Sequence, residues 1–183
     1  VESFAQRAKA GTLRPAVAST DLSVARKQVH VQSIIAAYRF LGSRWADLDP
    51  LKRQERPSIP ELEPAFYDLT EADMDTVFSA ANTYFGQEQM TLREIIQALR
   101  QTYCGTLGAE YMYMSDPAQK RWIQQRLESI RSTATFGVEK KTRILERLTA
   151  AEGLERYLHT KYVGQKRFSL EGGESFIVAM DEL

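Results

Sequence analysis

The sequence predicts a mainly α-helical fold, on three observations. Apolar residues recur at helical spacing in several long stretches, almost no stretch alternates with period two, and capping residues stand at the ends of the helical stretches. The chain has 183 residues, of which 43% are hydrophobic and 26% charged, as in ordinary globular proteins. It is long enough for one domain with a core, or for one domain and part of another.

The first predicted element is a long helix from Leu22 to Leu41. Its apolar residues follow helical spacing, Thr20 or Asp21 is available as N-cap, and Gly42 follows as a stop signal. Residues 1–21 mix glycine, proline, small and basic residues. They are expected to form an arm or linker.

The next stretch, residues 43–66, is expected to be extended or turning because it contains four prolines: Pro50, Pro57, Pro60 and Pro64. Thr70 and Asp73 then have the spacing of a capping box, although Glu or Gln is more usual at the second position. They predict a short helix over residues 70–80.

A stronger helix is predicted from Leu92 to Cys104, because Thr91 can cap it and its apolar residues lie on one face. Gly105 stands just beyond its end. Residues 106–114 are rich in aromatic residues and methionine. They predict either a short strand or a packed loop.

The last third of the chain predicts further helices. Ser115-Asp116-Pro117 is a start signal for one of them, since proline is pre-organised for a first helical turn. Another helix runs from Val138 to about Ala150, and the pattern resumes from Leu154 to Tyr162. Glu152-Gly153 predicts a bend or break between the two.

Residue types that carry catalysis are sparse. The single cysteine, Cys104, excludes an internal disulfide and is expected to be a small buried hydrophobe. His30 and His159 have no Cys or His at ligand spacing, so packing or surface roles are expected. Asp47 and Asp49 are expected to make turn hydrogen bonds. No phosphate-loop, dinucleotide-binding or nucleophile-elbow motif is present in the sequence.

The charge balance and the hydropathy favour neither nucleic acid nor membrane as a partner. Lys plus Arg and Asp plus Glu both total 24, so no global field attracts a polyanion. No apolar stretch approaches the roughly 20 residues that span a bilayer.

The closing segment has the composition of a ligand loop: Lys166-Arg167-Phe168-Ser169-Leu170-Glu171-Gly172-Gly173. Arg167 supplies a planar donor fork for phosphate or carboxylate, and the two glycines let backbone amides approach a ligand. A helix that begins at about Gly173 would add its positive end, and Phe168 could line an apolar slot. On residue types alone, a plain tight turn with Arg167 paired to Glu171 is slightly favoured.

Several strings resemble, in the same order, the decarboxylating first component of 2-oxoglutarate dehydrogenase, and the resemblance covers residues 25–183. The strings are Ala37-Tyr38-Arg39, Ala46–Leu51, Tyr67–Thr70, Gln101–Met112, Lys120–Arg126, Leu148–Leu158 and Lys166–Gly173.

The resemblance implies a cytoplasmic, bacterial-type subunit of a citric-acid-cycle complex that depends on thiamine diphosphate and Mg²⁺. Such a subunit forms a homodimer, decarboxylates 2-oxoglutarate and passes the succinyl group to the lipoyl arm of dihydrolipoyl succinyltransferase. By the same resemblance, residues 22–131 are a small helical domain. Residues 132–183 are the opening helices of a truncated thiamine-diphosphate-binding α/β domain.

The resemblance also implies two site residues: Arg167 in the cofactor site and Phe168 in the substrate channel. The family's His-Arg-Gly-Arg-Leu segment, its magnesium motif and its cofactor-activating glutamate would all lie beyond Leu183. The chain alone is therefore expected to contain no catalytic or metal-binding residues and to be an inactive fragment that needs the remainder of its subunit. An alternative class is an independent helical module that docks a partner through an exposed apolar face.

Overall fold

The computed structural model describes the backbone of residues 19–183 and the side chains from Ser23 onward, so residues 1–18 of the predicted arm lie outside the described residues. Within this part the fold is mainly helical, as predicted. The helices are α1 Ser19–Trp45, α2 Leu92–Tyr103, α3 Pro117–Ser129, α4 Val138–Lys161 and α5 Glu174–Glu182, and the strands are β1 Val77–Ser79 and β2 Gln89–Thr91.

The described part of the chain forms two compact units, which divide between Thr133 and Ala134. The first unit contains α1, both strands, α2 and α3, and its core lies between α1 and α2. The second unit is formed by α4 and α5.

Helix α1 does not end at Gly42, as the sequence predicts, but continues to Trp45. Its backbone is already helical at the two residues expected to cap it, Thr20 and Asp21. Gly42 serves packing instead: a Cβ built on it would lie 2.6 Å from the Cβ of Tyr103. The glycine therefore lets α1 and α2 approach more closely than any side chain would allow.

The buried face of α1 follows the predicted spacing only in its second half. The residues with almost no exposed surface are Val31, Ile34, Ile35 and Tyr38. Val24 and Val29, which also fit the apolar pattern, are largely exposed.

Helix α2 forms as predicted, with Thr91 as its N-cap. The Thr91 hydroxyl accepts a hydrogen bond from the Glu94 amide at 3.3 Å, and the Glu94 carboxylate accepts one from the Thr91 amide at 2.8 Å. This reciprocal capping box satisfies two backbone donors at the helix start. The helix buries its apolar face against α1.

The predicted helix over residues 70–80 is wrong. Thr70 and Asp73 do form a capping box, but it starts only the 3₁₀ turn Glu71–Asp73. The chain then enters β1, which pairs antiparallel with β2 so that buried Phe78 lies opposite buried Met90. The local start signal is real, but pairing with a strand ten residues further along the chain decides the structure.

Residues 46–67 turn repeatedly, as the prolines predict, with 3₁₀ turns at Pro60–Leu62 and Pro64–Tyr67. The expected turn hydrogen bonds are confirmed for Asp49, whereas Asp47 forms ion pairs instead. The Asp49 carboxylate accepts hydrogen bonds from the amides of Leu51, Arg53 and Gln54. Asp47 pairs with Lys52 and Arg56. Residues 106–114 form a packed loop and not a strand.

Helix α4 runs through Gly153 without the predicted break. Helix α5 begins at Glu174 and packs along α4. Two ion pairs join these helices: Arg143 binds Asp181 with two hydrogen bonds, of 2.9 and 3.0 Å, and Lys140 lies 2.7 Å from Glu182. Only Ala151 and Glu155 of α4 are buried.

Candidate functional site

The closing loop is attached to α4 by one carboxylate, that of Glu155, whose residue is only 7% exposed. The Arg167 guanidinium donates to its Oε2 through Nη1. The Ser169 hydroxyl donates to the same oxygen at 3.1 Å, and the Leu170 amide donates to Oε1 at 3.1 Å. Three donors within four residues of loop therefore converge on a single acceptor group.

The hydrogen bond from Arg167, followed by the one from the Leu170 amide, holds the pKa of the Glu155 carboxyl below its usual range. The carboxylate is consequently ionised at neutral pH and pairs with a cation. The expected plain-turn pair between Arg167 and Glu171 does not form, because Glu155 takes its place. To the described residues, Arg167 donates only through Nη1, although a guanidinium has five N–H donors.

An open pocket of about 460 Å³ lies beside this anchor. It is lined by Glu152, Glu155, Arg156, His159, Thr160, Arg167, Glu171 and Glu174. Four carboxylates face two guanidinium groups, and Arg156 is already paired with Glu152 at 2.7 Å. The pocket in this chain is thus too acidic to attract a multiply charged anion strongly.

The N-terminal end of α5 is occupied by a carboxylate of the chain itself, that of Glu174. Gly172 has a φ of +86°, which favours glycine, and its amide donates to the Glu174 carboxylate at 2.9 Å. The Glu174 carboxylate therefore lies at the N-terminal end of α5, the position at which the sequence predicted a bound anion. Phe168 does not line the pocket and is 97% exposed. The structure therefore places Arg167, but not Phe168, at the pocket.

Glu155 is not among the site residues predicted from the sequence, although its position on α4 carries a signal. Ile144, Leu148, Ala151 and Leu158 occupy the less exposed face of α4, and position 155 continues the same helical period. An acid at an inward position of an amphipathic helix requires a buried partner. The identity of that partner, Arg167, depends on how the loop folds back.

A second buried carboxylate, Glu128, joins elements of the first unit. Arg39 of α1 donates to it through Nε at 2.8 Å and through Nη2 at 3.1 Å. The Tyr103 hydroxyl of α2 donates at 2.6 Å, and the Tyr84 amide donates at 2.9 Å. Burial, reinforced by the adjacent Glu128 charge, raises the pKa of Tyr103. Every donor that faces Glu128 is engaged, so the cluster is suited to holding the fold together.

The remaining candidates have no catalytic setting. Cys104 is buried, and burial raises the pKa of its thiol to about 11, so it stays protonated. This confirms its expected packing role. His159 is exposed at the pocket, and His30 is half-buried, with its Nδ1 unpartnered among the described residues.

Across residues 19–183, no group of three or more His, Cys, Asp or Glu side chains has an arrangement that could hold a metal ion. Among the helices of the same part of the chain, none combines the length and the apolar character needed to cross a bilayer.

No family model matches the chain. It is 68% identical over its whole length to the 2-oxoglutarate dehydrogenase E1 component of Cupriavidus necator, and covers 19% of that protein. It is 48% identical over 168 residues to the E1 component of Azotobacter vinelandii and 41% identical over 170 residues to that of Haemophilus influenzae, covering 18% of each. The chain thus spans about a fifth of the length of these relatives. Between 168 and all 183 residues of the chain are thus similar to the N-terminal part of these 2-oxoglutarate dehydrogenase E1 components.

Proposed function

We propose that the chain is the N-terminal part of a subunit that decarboxylates 2-oxoglutarate and transfers the succinyl group to the lipoyl group of dihydrolipoyl succinyltransferase. The observation that carries this proposal is the 68% identity to an E1 component across all 183 residues. In the proposal the intact subunit is a cytoplasmic homodimer that uses thiamine diphosphate and Mg²⁺. Residues 22–131 are its helical domain, and residues 132–183 open its cofactor-binding domain.

We assign Arg167 to the thiamine diphosphate site. Because Arg167 uses Nη1 for Glu155, its other N–H donors are available to a diphosphate oxygen, which a guanidinium binds well. Thiamine diphosphate, when bound, supplies the electron sink for decarboxylation. In this assignment Arg167 contributes one cation to the diphosphate site. The cations that offset the surrounding carboxylates belong to the remainder of the subunit.

We assign Phe168 to the substrate channel. Its ring is fully presented to solvent next to the anchored Arg167, so another part of the subunit can pack against it. An aromatic ring in that position can exclude water from a reacting centre.

The second unit carries apolar surface that a larger protein would cover. Its large apolar side chains with more than half of their surface exposed are Val138, Leu145, Tyr157, Val163, Phe168, Phe176, Met180 and Leu183. Soluble chains rarely leave this much apolar surface in water. The remainder of the same subunit is therefore the proposed partner of this unit.

The assignment of Arg167 is tested in the intact subunit by titrating thiamine diphosphate into Arg167→Gln and following its binding by calorimetry. We expect the dissociation constant to rise by about tenfold or more, since a charge-assisted hydrogen bond to the diphosphate is lost. Arg156→Gln is the matched control, because Arg156 lines the same pocket but is paired with Glu152. Equal affinity in Arg167→Gln and the parent subunit would remove Arg167 from the cofactor site.

A further inference from the structure

Helix α2 lines a pocket of the first unit to which the proposed function gives no role. The pocket is about 350 Å³ in volume, and five of its lining residues follow helical spacing along one face of α2: Arg93, Ile96, Gln97, Arg100 and Gln101. The others are Glu63, Pro64 and Met74. We call these eight residues the α2 pocket. Pro64 and Ile96 are buried and Met74 is half-buried, so the least exposed part of the lining is apolar.

Arg100 enters this pocket in an orientation that the core of the unit fixes. Its Nε donates to the Tyr38 hydroxyl at 3.1 Å, and this buried hydroxyl donates in turn to the Leu62 carbonyl at 3.0 Å. The guanidinium carbon also lies 6.0 Å from the centre of the Trp45 ring. The side chain is therefore ordered before any ligand binds, which lowers the entropy cost of binding.

The present partner of Arg100, the Glu63 carboxylate, is held loosely. Arg100 Nη2 lies 3.4 Å from both Glu63 oxygens, whereas Arg39 Nε lies 2.8 Å from Glu128. Charge-assisted hydrogen bonds between N–H and carboxylate are usually about 2.7–2.9 Å long. The side chains of Arg100 and Glu63 are 45% and 57% exposed, and Arg100 Nη1 has no hydrogen bond among the described residues. Another carboxylate can therefore displace Glu63 into water with little loss of stability.

The charges around the α2 pocket favour a single negative charge on the ligand. The lining contains two cations, Arg93 and Arg100, and one acid, Glu63. Arg93 is already bound by two acids outside the lining, Glu71 at 3.0 Å and Asp75 at 3.2 Å. Arg100 is thus the lining cation whose partner is loose. A dianion would meet the charges of Glu71 and Asp75 without a second cation to offset them.

We propose that the α2 pocket binds a monocarboxylate that carries a short apolar body. The carboxylate would replace that of Glu63 at the two Nη groups of Arg100, in the bidentate arrangement that a guanidinium favours. The apolar body would lie against Pro64, Met74 and Ile96, since small-molecule sites combine an apolar lining with a few polar groups that fix the orientation of the ligand. Such a carboxylate can belong to a small acid or to the C-terminus of a peptide that ends in an apolar residue.

The proposal is tested by titrating isocaproate, a branched monocarboxylate, into the 183-residue chain and following its backbone amides by NMR. We expect saturable shifts at residues 96–101 with a dissociation constant of about 1 mM, as the small size of the ligand allows. Isocaproamide has the same apolar body without the charge, and acetate has the charge without the body. Each should bind more weakly by about tenfold or more, because each lacks one of the two contributions.

Two substitutions should change the affinity for isocaproate in opposite directions. Arg100→Gln should weaken binding by about tenfold or more, because the ion pair is lost. Glu63→Gln should strengthen binding by about threefold or more, because it removes the carboxylate that competes for Arg100. A variant that only damaged the fold would not gain affinity. Arg143→Gln is the control, since Arg143 is a partly exposed, ion-paired arginine of the second unit, and its affinity should stay within about twofold of the parent chain.

Four results would overturn the proposal. They are the absence of saturable shifts with isocaproate, equal affinity of Arg100→Gln and the parent chain, no gain of affinity in Glu63→Gln, and tighter binding of inorganic phosphate or glutarate than of isocaproate.

The source of the carboxylate is identified by comparing isocaproate with an acetylated tripeptide that ends in leucine. Tighter binding of the tripeptide, lost when its C-terminus is amidated, would support the site and identify a peptide terminus as its ligand. Tighter binding of isocaproate would support the site and identify a small acid.

Discussion

At the scale of single residues, two of the three buried carboxylates in the described part of the chain show how differently such a group can be satisfied. Glu128 has no exposed surface, and its partners come from α1, α2 and the loop after β1. Glu155 is buried on α4, and its partners all come from one loop. A buried carboxylate is tolerated only when donors replace the water it has lost. Each of these acids is therefore stable only when the segments that carry its hydrogen-bond donors are folded against it.

Replacing Glu128 with leucine should lower the free energy of unfolding by about 3–5 kcal/mol, because Arg39 would keep its burial and lose its counter-charge. Urea denaturation measures the change. The double variant Arg39→Met with Glu128→Leu should recover much of the loss, since no charge is then left unpaired. The exposed pair Arg143–Glu146 gives the control: Glu146→Gln should cost less than about 0.5 kcal/mol. Additive effects of the two Arg39–Glu128 substitutions would show that the pair is not coupled.

Acid should release the closing loop from α4. Arg167 lowers the pKa of Glu155 in the folded chain relative to the unfolded chain, so the interaction is fully present above the ordinary glutamate value of about 4.3. It is lost as the pH falls through the lower, folded value. We therefore expect the Leu170 amide to exchange faster below about pH 4 than intrinsic exchange rates alone explain.

Glu155→Gln should abolish this pH dependence, because the amide does not titrate in the same range. The control Glu152→Gln should retain it, since Glu152 is an exposed acid of the same helix that does not contact Leu170. A Leu170 exchange profile that is the same in Glu155→Gln and in the parent chain would contradict the role given to Glu155.

At the scale of elements, local signals predicted helices well where capping and periodicity agreed. Helix α2 has a capping box and a continuous apolar face, and its predicted bounds differ from the observed ones by one residue. The predicted helix at 70–80 failed because β1 is stabilised by β2, which lies outside that window. Both glycine stop signals in long helices, Gly42 and Gly153, were misleading.

The candidate site was less predictable than the fold. The sequence drew attention to Arg167 through its residue type, but Glu171 was the nearest acid and Glu155 was the actual partner. A hydrogen bond across 12 residues depends on the direction in which the loop returns to α4. Periodicity can place an acid on a buried face, but it cannot identify which donor will reach it.

The two helical glycines should respond oppositely to alanine. Gly42→Ala should destabilise the chain by about 1–3 kcal/mol, because its Cβ would lie 2.6 Å from that of Tyr103. Gly153→Ala should stabilise it by about 0.5–1 kcal/mol, because nothing lies within 4 Å of its Cβ and alanine favours the helix. Thermal unfolding followed by circular dichroism compares them directly. Equal effects would show that the close approach at Gly42 is not what selects glycine.

At the scale of the whole molecule, the two units differ in how far they bury their own apolar residues. In the described part, the buried apolar residues belong to the first unit with the exception of Ala151. In the second unit, surface ion pairs join α4 and α5, and the apolar residues Ile144, Leu148, Ile177 and Val178 are only half-buried. Surface ion pairs contribute little to stability. The second unit therefore buries too little apolar surface to be well stabilised by its own contacts.

This difference gives a prediction for the isolated 183-residue chain: it should not bind thiamine diphosphate. The two guanidinium groups at the pocket are already paired with carboxylates, Arg156 with Glu152 and Arg167 with Glu155. The four glutamates of the lining outnumber them and repel a diphosphate. Calorimetric titration with thiamine diphosphate and Mg²⁺ should show no saturable heat. The intact subunit, titrated under the same conditions, is the positive control, and micromolar binding to the isolated chain would refute the expectation.

The anchor at Glu155 also explains the direction of its neighbour. Arg167 and Ser169 both turn towards the same carboxylate, and Phe168 lies between them. Because the side chains of Arg167 and Ser169 are both directed towards α4, the side chain of Phe168 is directed away from α4. The hydrogen bonds that hold Arg167 against Glu155 therefore also leave the ring of Phe168 97% exposed to solvent. The ring is thus available for contact with another part of the protein.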